Sequence, residues 1–184
     1  MIYILTGVAK SGKSLIAKEI VKRNSIPSFS TDYIMMMLAK GNKNIGIDTE
    51  AGDRVVAKQL EPYIEGMLKT MIENGVNHLI EGVHFNHDFI SRMMKEYPND
   101  IKTLYLGFKD IDASVKGDEL YKFQDSSDNK WFLNLNEKEF KVLINYLIDE
   151  SRISYDLCRE FSLDYIEVQD ISIQLEEIIN KLLN

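Results

Sequence analysis

Residues 7–14 read GVAKSGKS, a full match to the spacing G-x-x-x-x-G-K-[ST]. With 10 Gly, 17 Lys and 18 Ser plus Thr in 184 residues, about 0.005 matches are expected by chance. Its neighbours constrain it further. The apolar run Ile2–Thr6 precedes it and reads as a buried parallel strand. The stretch from Ser14 to Asn24 follows, with Leu15, Ile16, Ile20 and Val21 on one helical face and Lys18, Lys22 and Arg23 opposite. A strand, a glycine-framed turn and a helix are the parts a phosphate cradle requires. The glycines let backbone N–H groups converge on a phosphate, and the helix N-terminus adds its positive end. Gly7, Val8, Ala9, Lys10, Ser11, Gly12, Lys13, Ser14 and Leu15 are therefore the expected phosphate-binding segment. Lys13 supplies a mobile charge to β- and γ-phosphates, and the Ser14 hydroxyl can ligate Mg²⁺.

The same alternation continues along the chain. Ser28–Ser30, His78–Glu81, Ile101–Phe108 and Asp164–Val168 read as further short strands. Helical patterns are expected from Asp32, over 52–74, over Phe89–Glu96, over Glu137–Glu160 and over Ile171–Leu183. Pro62 either kinks the second of these or starts a new helix. Residues 110–136 read as polar and irregular. Five strands separated by helices predict a three-layer α/β fold, a parallel sheet with helices on both faces, in one domain spanning 1–184.

Composition removes several function classes. At 45% hydrophobic, 28% charged and 10% aromatic, the chain has an ordinary globular mix rather than a disordered one. One cysteine, Cys158, makes neither an internal disulfide nor a thiolate cluster. No apolar run approaches the roughly 18 residues of a membrane span, and the first residues lack the basic flank of a signal peptide. A cytoplasmic protein without a membrane partner is expected. The net charge of −7 opposes nucleic-acid binding, and no basic stripe offsets it.

Other residues carry chemistry with a structural alternative beside each. Asp32, after the second strand, lies where strand ends line a ligand crevice and could accept a proton from an acceptor hydroxyl. It is equally a preferred helix N-cap. Glu81 ends an apolar strand, the place of an acidic residue near a phosphate-bound metal, or is simply an exposed carboxylate. His84, His87 and Asp88 have no fourth ligand, so His84 reads as a substrate contact or a crevice histidine. Only five arginines exist to clamp a phosphate bidentately. Arg152 and Arg159 lie seven apart on one helix, free to clamp a phosphoryl group or to pair within the helix, Asp156 standing four residues beyond Arg152. Arg54 and Arg92 are expected to open helices on the crevice side and to meet an anionic acceptor.

GVAKSGKS at 7–14, STD at 30–32 and LIEGVH at 79–84 together make the chain resemble the small P-loop kinases with a nucleoside-monophosphate-kinase-like fold. The likeness extends to zeta-toxin-like, chloramphenicol-phosphotransferase-like and gluconate-kinase-like enzymes. The IEGVH segment is most similar to 2-phosphoglycerate kinases and related uncharacterised kinases. The resemblance implies strand order 2-3-1-4-5, a lid over about 110–136, and Asp32 as base. It implies transfer of the γ-phosphoryl group of ATP, assisted by Mg²⁺ held at Ser14 and Glu81, to a hydroxyl or phosphate of a small molecule. One departure stands out: lids of this family commonly carry arginine, and 110–136 carries only Lys116, Lys122 and Lys130, with Lys109 just before it. A nucleotide-binding switch or an NTPase without an acceptor is the alternative, although the N/T-K-x-D base-reading motif of switch GTPases is missing.

Overall fold

The computed structural model describes residues 1–122 and 131–184; residues 123–130, including Lys130 of the expected lid, lie outside the described residues. Strands β1 (Ile2–Gly7), β2 (Ser28–Ser30), β3 (His78–Glu81), β4 (Ile101–Gly107) and β5 (Tyr165–Glu167) form one sheet, order 2-3-1-4-5. Every pairing is parallel. Helices α1 (Lys13–Asn24), α2 (Thr31–Gly41), α3 (Asp53–Glu73), α4 (His87–Glu96), α5 (Ala113–Lys122), α6 (Glu137–Phe161) and α7 (Ile171–Leu183) connect and cover it. None of these is long and apolar enough to cross a membrane.

Strand alternation divides the core. Ile2 and Ile4 of β1 face α3 and α4, where they pack with Leu60, Ile64, Phe89 and Ile90. Leu5, on the other face, packs with Ile16 and Ile20 of α1 and Ile178 and Leu182 of α7. A third cluster joins Val8 and Phe108 to Phe132 and to Ile144, Leu147 and Ile148 of α6. The register puts the C-terminal ends of three strands at one edge. Leu5 and Ser30 both pair with Glu81, and Gly7 pairs with Leu106. Gly7, Thr31 and Gly82 therefore leave the sheet side by side.

One expectation is corrected and one alternative resolved. Residues 110–136 are not irregular throughout: Ala113–Lys122 is a helix and Trp131–Asn134 a 3-10 turn. The helix hid because its buried positions are Lys116, Gly117 and Leu120, which form no apolar stripe. Its start is fixed by Asp112, whose Oδ1 accepts from the Ser114 backbone N–H at 2.8 Å. Of the two alternatives for Pro62, a proline within one helix is the one that stands: it does not start a new helix, since α3 runs unbroken over 21 residues. Its buried row, Val56, Leu60, Ile64 and Leu68, holds the helix on the sheet through that one lost hydrogen bond.

Candidate functional site

The loop from β1 to α1 is locked by its glycines. Gly7 has φ +116°, and a Cβ there would fall on the backbone carbonyl of Leu106 in β4. Any side chain would push the loop off the sheet. Inside the loop, Lys13 is 6% exposed. Its Nζ donates to the carbonyls of Gly7 (3.2 Å) and Val8 (2.7 Å) and to Ser11 Oγ (3.3 Å). Burial pushes the Lys13 ammonium down to about 8, against the pull of Glu81, Asp53 and Asp32. The lysine is thus a desolvated cation satisfied by carbonyls, able to exchange them for phosphate oxygens.

Next along α1, Ser14 Oγ donates to Glu81 Oε2 at 3.2 Å. The strand-end carboxylate is buried and faces the first turn of α1, not open solvent. A hydroxyl and one carboxylate beside a phosphate cradle suit Mg²⁺, which keeps several waters and borrows phosphate oxygens. Among the described residues, no three His, Cys, Asp or Glu are grouped as a metal site.

Across the crevice, α2 begins at Thr31, one residue before the expected start, and its N-cap is Ser30. Ser30 Oγ accepts from the Asp32 backbone N–H at 3.3 Å. Capping is therefore done by Ser30, and the Asp32 carboxylate, 58% exposed, is left to face the crevice. Its Oδ1 lies 3.8 Å from His84 Nδ1. The same ring nitrogen is 2.9 Å from the buried Thr31 Oγ1. Gly82 makes that bond possible, since a Cβ at residue 82 would occupy the position of Thr31 Oγ1. Burial holds the His84 imidazolium below its ordinary range, with Asp32 opposing the shift.

These groups line one cleft of about 780 Å³. Lys10, Gly12, Lys13, Ser14, Leu15, Asp32, Glu81 and His84 all border it. Of the expected segment 7–15, Ala9, Lys10 and Gly12 to Leu15 border the cleft with the aspartate and the strand-end acid, whereas Gly7, Val8 and Ser11 do not line it. Nor do the arginines. Arg152 pairs with Asp149 at 2.7 Å rather than with Asp156, and Arg159 lies over the Tyr155 ring; neither borders the cleft. Arg92 sits mid-way along α4, not at its start, and its guanidinium binds Glu65 (2.7 Å) and Glu61 (3.4 Å) on α3. Arg54 does open α3, but its Nη2 is held by both oxygens of Glu150, at 2.7 and 3.0 Å.

Two features escaped the sequence, and a third residue, His87, read there as a surface or crevice-lining histidine, is buried. Asp53, first residue of α3, borders the cleft and biases both Lys13 and His84 toward their charged forms. An acid in a helix's first turn gave no signal beyond ordinary dipole pairing. Lys116 is 1% exposed, 4.0 Å from the Phe108 ring centroid and 2.6 Å from Glu119, a cleft residue. His87 is stacked on Tyr105 with ring centroids 4.3 Å apart, and its Nε2 lies 3.1 Å from Ser154 Oγ.

No protein-family model matches the chain, and no curated protein matches it by sequence. Solved structures do match in fold. A gluconokinase from Sinorhizobium meliloti 1021 aligns over 99% of this chain and 88% of its own, with TM-score 0.56 and 14% identity. A shikimate kinase from Bacteroides thetaiotaomicron covers 99% of this chain and 96% of its own, with TM-score 0.57 and 18% identity. A shikimate kinase from Acinetobacter baumannii, in complex with shikimate, covers 100% and 95%, with TM-score 0.53 and 15% identity. The chain has the fold of the P-loop small-molecule kinases, with a five-stranded parallel sheet in the order 2-3-1-4-5.

Proposed function

We propose that the protein is an ATP-dependent phosphotransferase acting on a small-molecule acceptor. The observation that carries this reading is the facing of two groups across one cleft. On one wall stands Lys13 in its glycine-locked loop, with Ser14 bonded to Glu81. On the other stands Asp32, relieved of capping by Ser30.

In this reading the loop amides and the N-terminus of α1 hold the β-phosphate, and Lys13 leaves its carbonyl partners for β- and γ-phosphate oxygens. Ser14 and Glu81 would hold Mg²⁺, which when bound neutralises charge on the triphosphate. Asp32 accepts the proton of the acceptor hydroxyl while that oxygen bonds to the γ-phosphorus. The bond from that phosphorus to the β,γ-bridging oxygen breaks, and ADP leaves. The Thr31–His84 pair fixes the start of α2, and so the position of the Asp32 backbone. The clamp expected of Arg152 and Arg159 has no support in their placement. Lys10, which borders the cleft, is the better-placed cation.

The test is γ-labelled ATP with a broad panel of hydroxylated and phosphorylated metabolites. Label in an acceptor is the expected result. Label confined to inorganic phosphate would instead favour an NTPase or switch without an acceptor.

A further inference from the structure

The lining of the main cleft changes along its length. Beside Lys13 it is bordered by the loop and the first turns of α1. Beside Asp32 it is bordered by Phe29 of β2, Tyr33 and Met35 of α2, Ala51 ahead of α3, and Val83 after β3. Phe29, Met35 and Ala51 are only partly buried, and they pack against the core that holds Val56, Leu60 and Ile64. Anchored there, they form an apolar floor that keeps accessible surface and needs no ordering when a ligand arrives. Tyr33 extends this floor to the rim. Its side chain is 73% exposed and yet borders the same cleft. A single exposed tyrosine is ordinary. One that adjoins Asp32 in the chain and continues an apolar floor is placed to contact whatever Asp32 contacts.

The residue types narrow that contact. Tyr and Phe rings favour another ring, offset-stacked or edge-on. A methionine thioether likewise favours an aromatic partner. An aliphatic group gains only area burial from these three side chains, and a polyol would set hydroxyls against them without hydrogen-bond partners. The polar groups at this end, among them Asp32, Thr49 and Asp53, supply the few hydrogen bonds that orient a largely apolar ligand. The base of the nucleotide itself is the competing occupant. In the phosphotransferase reading, however, Asp32 meets the γ-phosphate, the end of ATP farthest from its base. A ring at Tyr33 therefore belongs to the acceptor.

We propose that the phosphoryl acceptor is an aryl alcohol, with an aromatic ring seated against Phe29, Tyr33 and Met35 and the reacting hydroxyl a few bonds away at Asp32. The proposal rests on the phosphotransferase reading above and names its acceptor class.

Acceptors with matched hydroxyls test it: the phenyl, cyclohexyl and methyl ethers of glycerol, and phenyl, cyclohexyl and methyl glucoside, each offered with γ-labelled ATP. Label should enter the phenyl member with kcat/KM at least about tenfold above the methyl one, the cyclohexyl member falling between. Tyr33→Ser should raise KM for the phenyl member about tenfold while leaving KM for ATP and for the methyl member unchanged. Tyr33→Phe should restore it. Neither variant should lower Tm, because the side chain is so exposed, and a general folding defect would not separate phenyl from methyl. Equal use of phenyl and methyl, a cyclohexyl member as good as phenyl, or label entering only ringless members of the broad panel would overturn the proposal while leaving phosphotransfer intact. A Tyr33→Ser effect on the KM for ATP would assign the ring site to the nucleotide and overturn it as well. Label found only in inorganic phosphate would overturn the phosphotransferase reading itself, and this proposal with it.

Discussion

The two walls of the cleft are built to different standards. The phosphate wall is packed: α1 buries Lys13, Ile16, Ala17 and Ile20, and its loop sits against β4 with no room for a side chain at Gly7. The wall formed by α2, which the proposed function gives to the acceptor, is light. Helix α2 buries only Thr31, while Tyr33 and Met37 are 73% and 64% exposed. One cap at Ser30 and one bond from Thr31 to His84 fix its start. The contrast teaches a division of labour. A phosphate group is the same in every nucleotide and rewards a rigid cradle. An acceptor must enter, be enclosed and leave, which suits the less stable wall.

The comparison can be broken at either wall. The largest expected effect is on catalysis. Asp32→Asn should cost on the order of 10²–10⁴ in kcat, with nucleotide affinity little changed and stability within about 1 kcal/mol. Steady-state kinetics beside a thermal melt reads both. Because Ser30 performs the capping, unchanged kcat and acceptor KM would remove Asp32 from the chemistry. On the packed wall, Gly7→Ala meets a positive φ and a backbone carbonyl together. It should destabilise the fold by about 3 kcal/mol or more in urea titration, and a milder loss would mean the loop can shift.

Between these lies a pH effect from His87. Burial, then the nearby Arg54 charge, pushes its imidazolium down to about 4. The unfolded chain takes up that proton near 6.5 and the folded one does not. Stability therefore holds above about pH 6.5 and falls as pH drops toward 4, by up to about 3 kcal/mol. His87→Gln should flatten that part of the curve; an unchanged slope would assign the loss to other groups. The smallest effect belongs to the lighter wall. Gly41, the last residue of α2, has open space where a Cβ would go. Gly41→Ala should raise stability by about 0.5–1 kcal/mol, opposite in sign to the alanine at Gly7.

What the sequence disclosed follows the same division. The wall that the proposed function gives to phosphate is one contiguous segment whose residue types are dictated by backbone geometry, so 7–15 could be proposed directly from the sequence, and the expected strand, loop and helix are present. Glu81 was legible because a carboxylate ending an apolar run is unusual. The acceptor wall is assembled from residues far apart in sequence, and their pairing decides their role. Arg54 and Arg92 both read as free cations, yet Glu150 and Glu65 hold them. Nothing in the spacing of residues 54 and 150 announces that pair. Helix α5 was missed for a related reason. Its buried face contains Lys116, whose ammonium is satisfied by Glu119 and the Phe108 ring, so hydrophobic periodicity could not find it.

The central claim, a preformed polyphosphate site organised by a desolvated Lys13, is tested most directly by isothermal titration of ATP with Mg²⁺. Since Lys13 loses its proton near pH 8 in the free protein and a bound polyphosphate would hold it charged, binding above that pH should take up a proton. Affinity should then weaken by up to about tenfold per pH unit. The predicted result is a one-site isotherm with proton uptake around pH 8–9, abolished by Lys13→Ala. No heat from the wild-type protein, or an isotherm unchanged by Lys13→Ala, would contradict it.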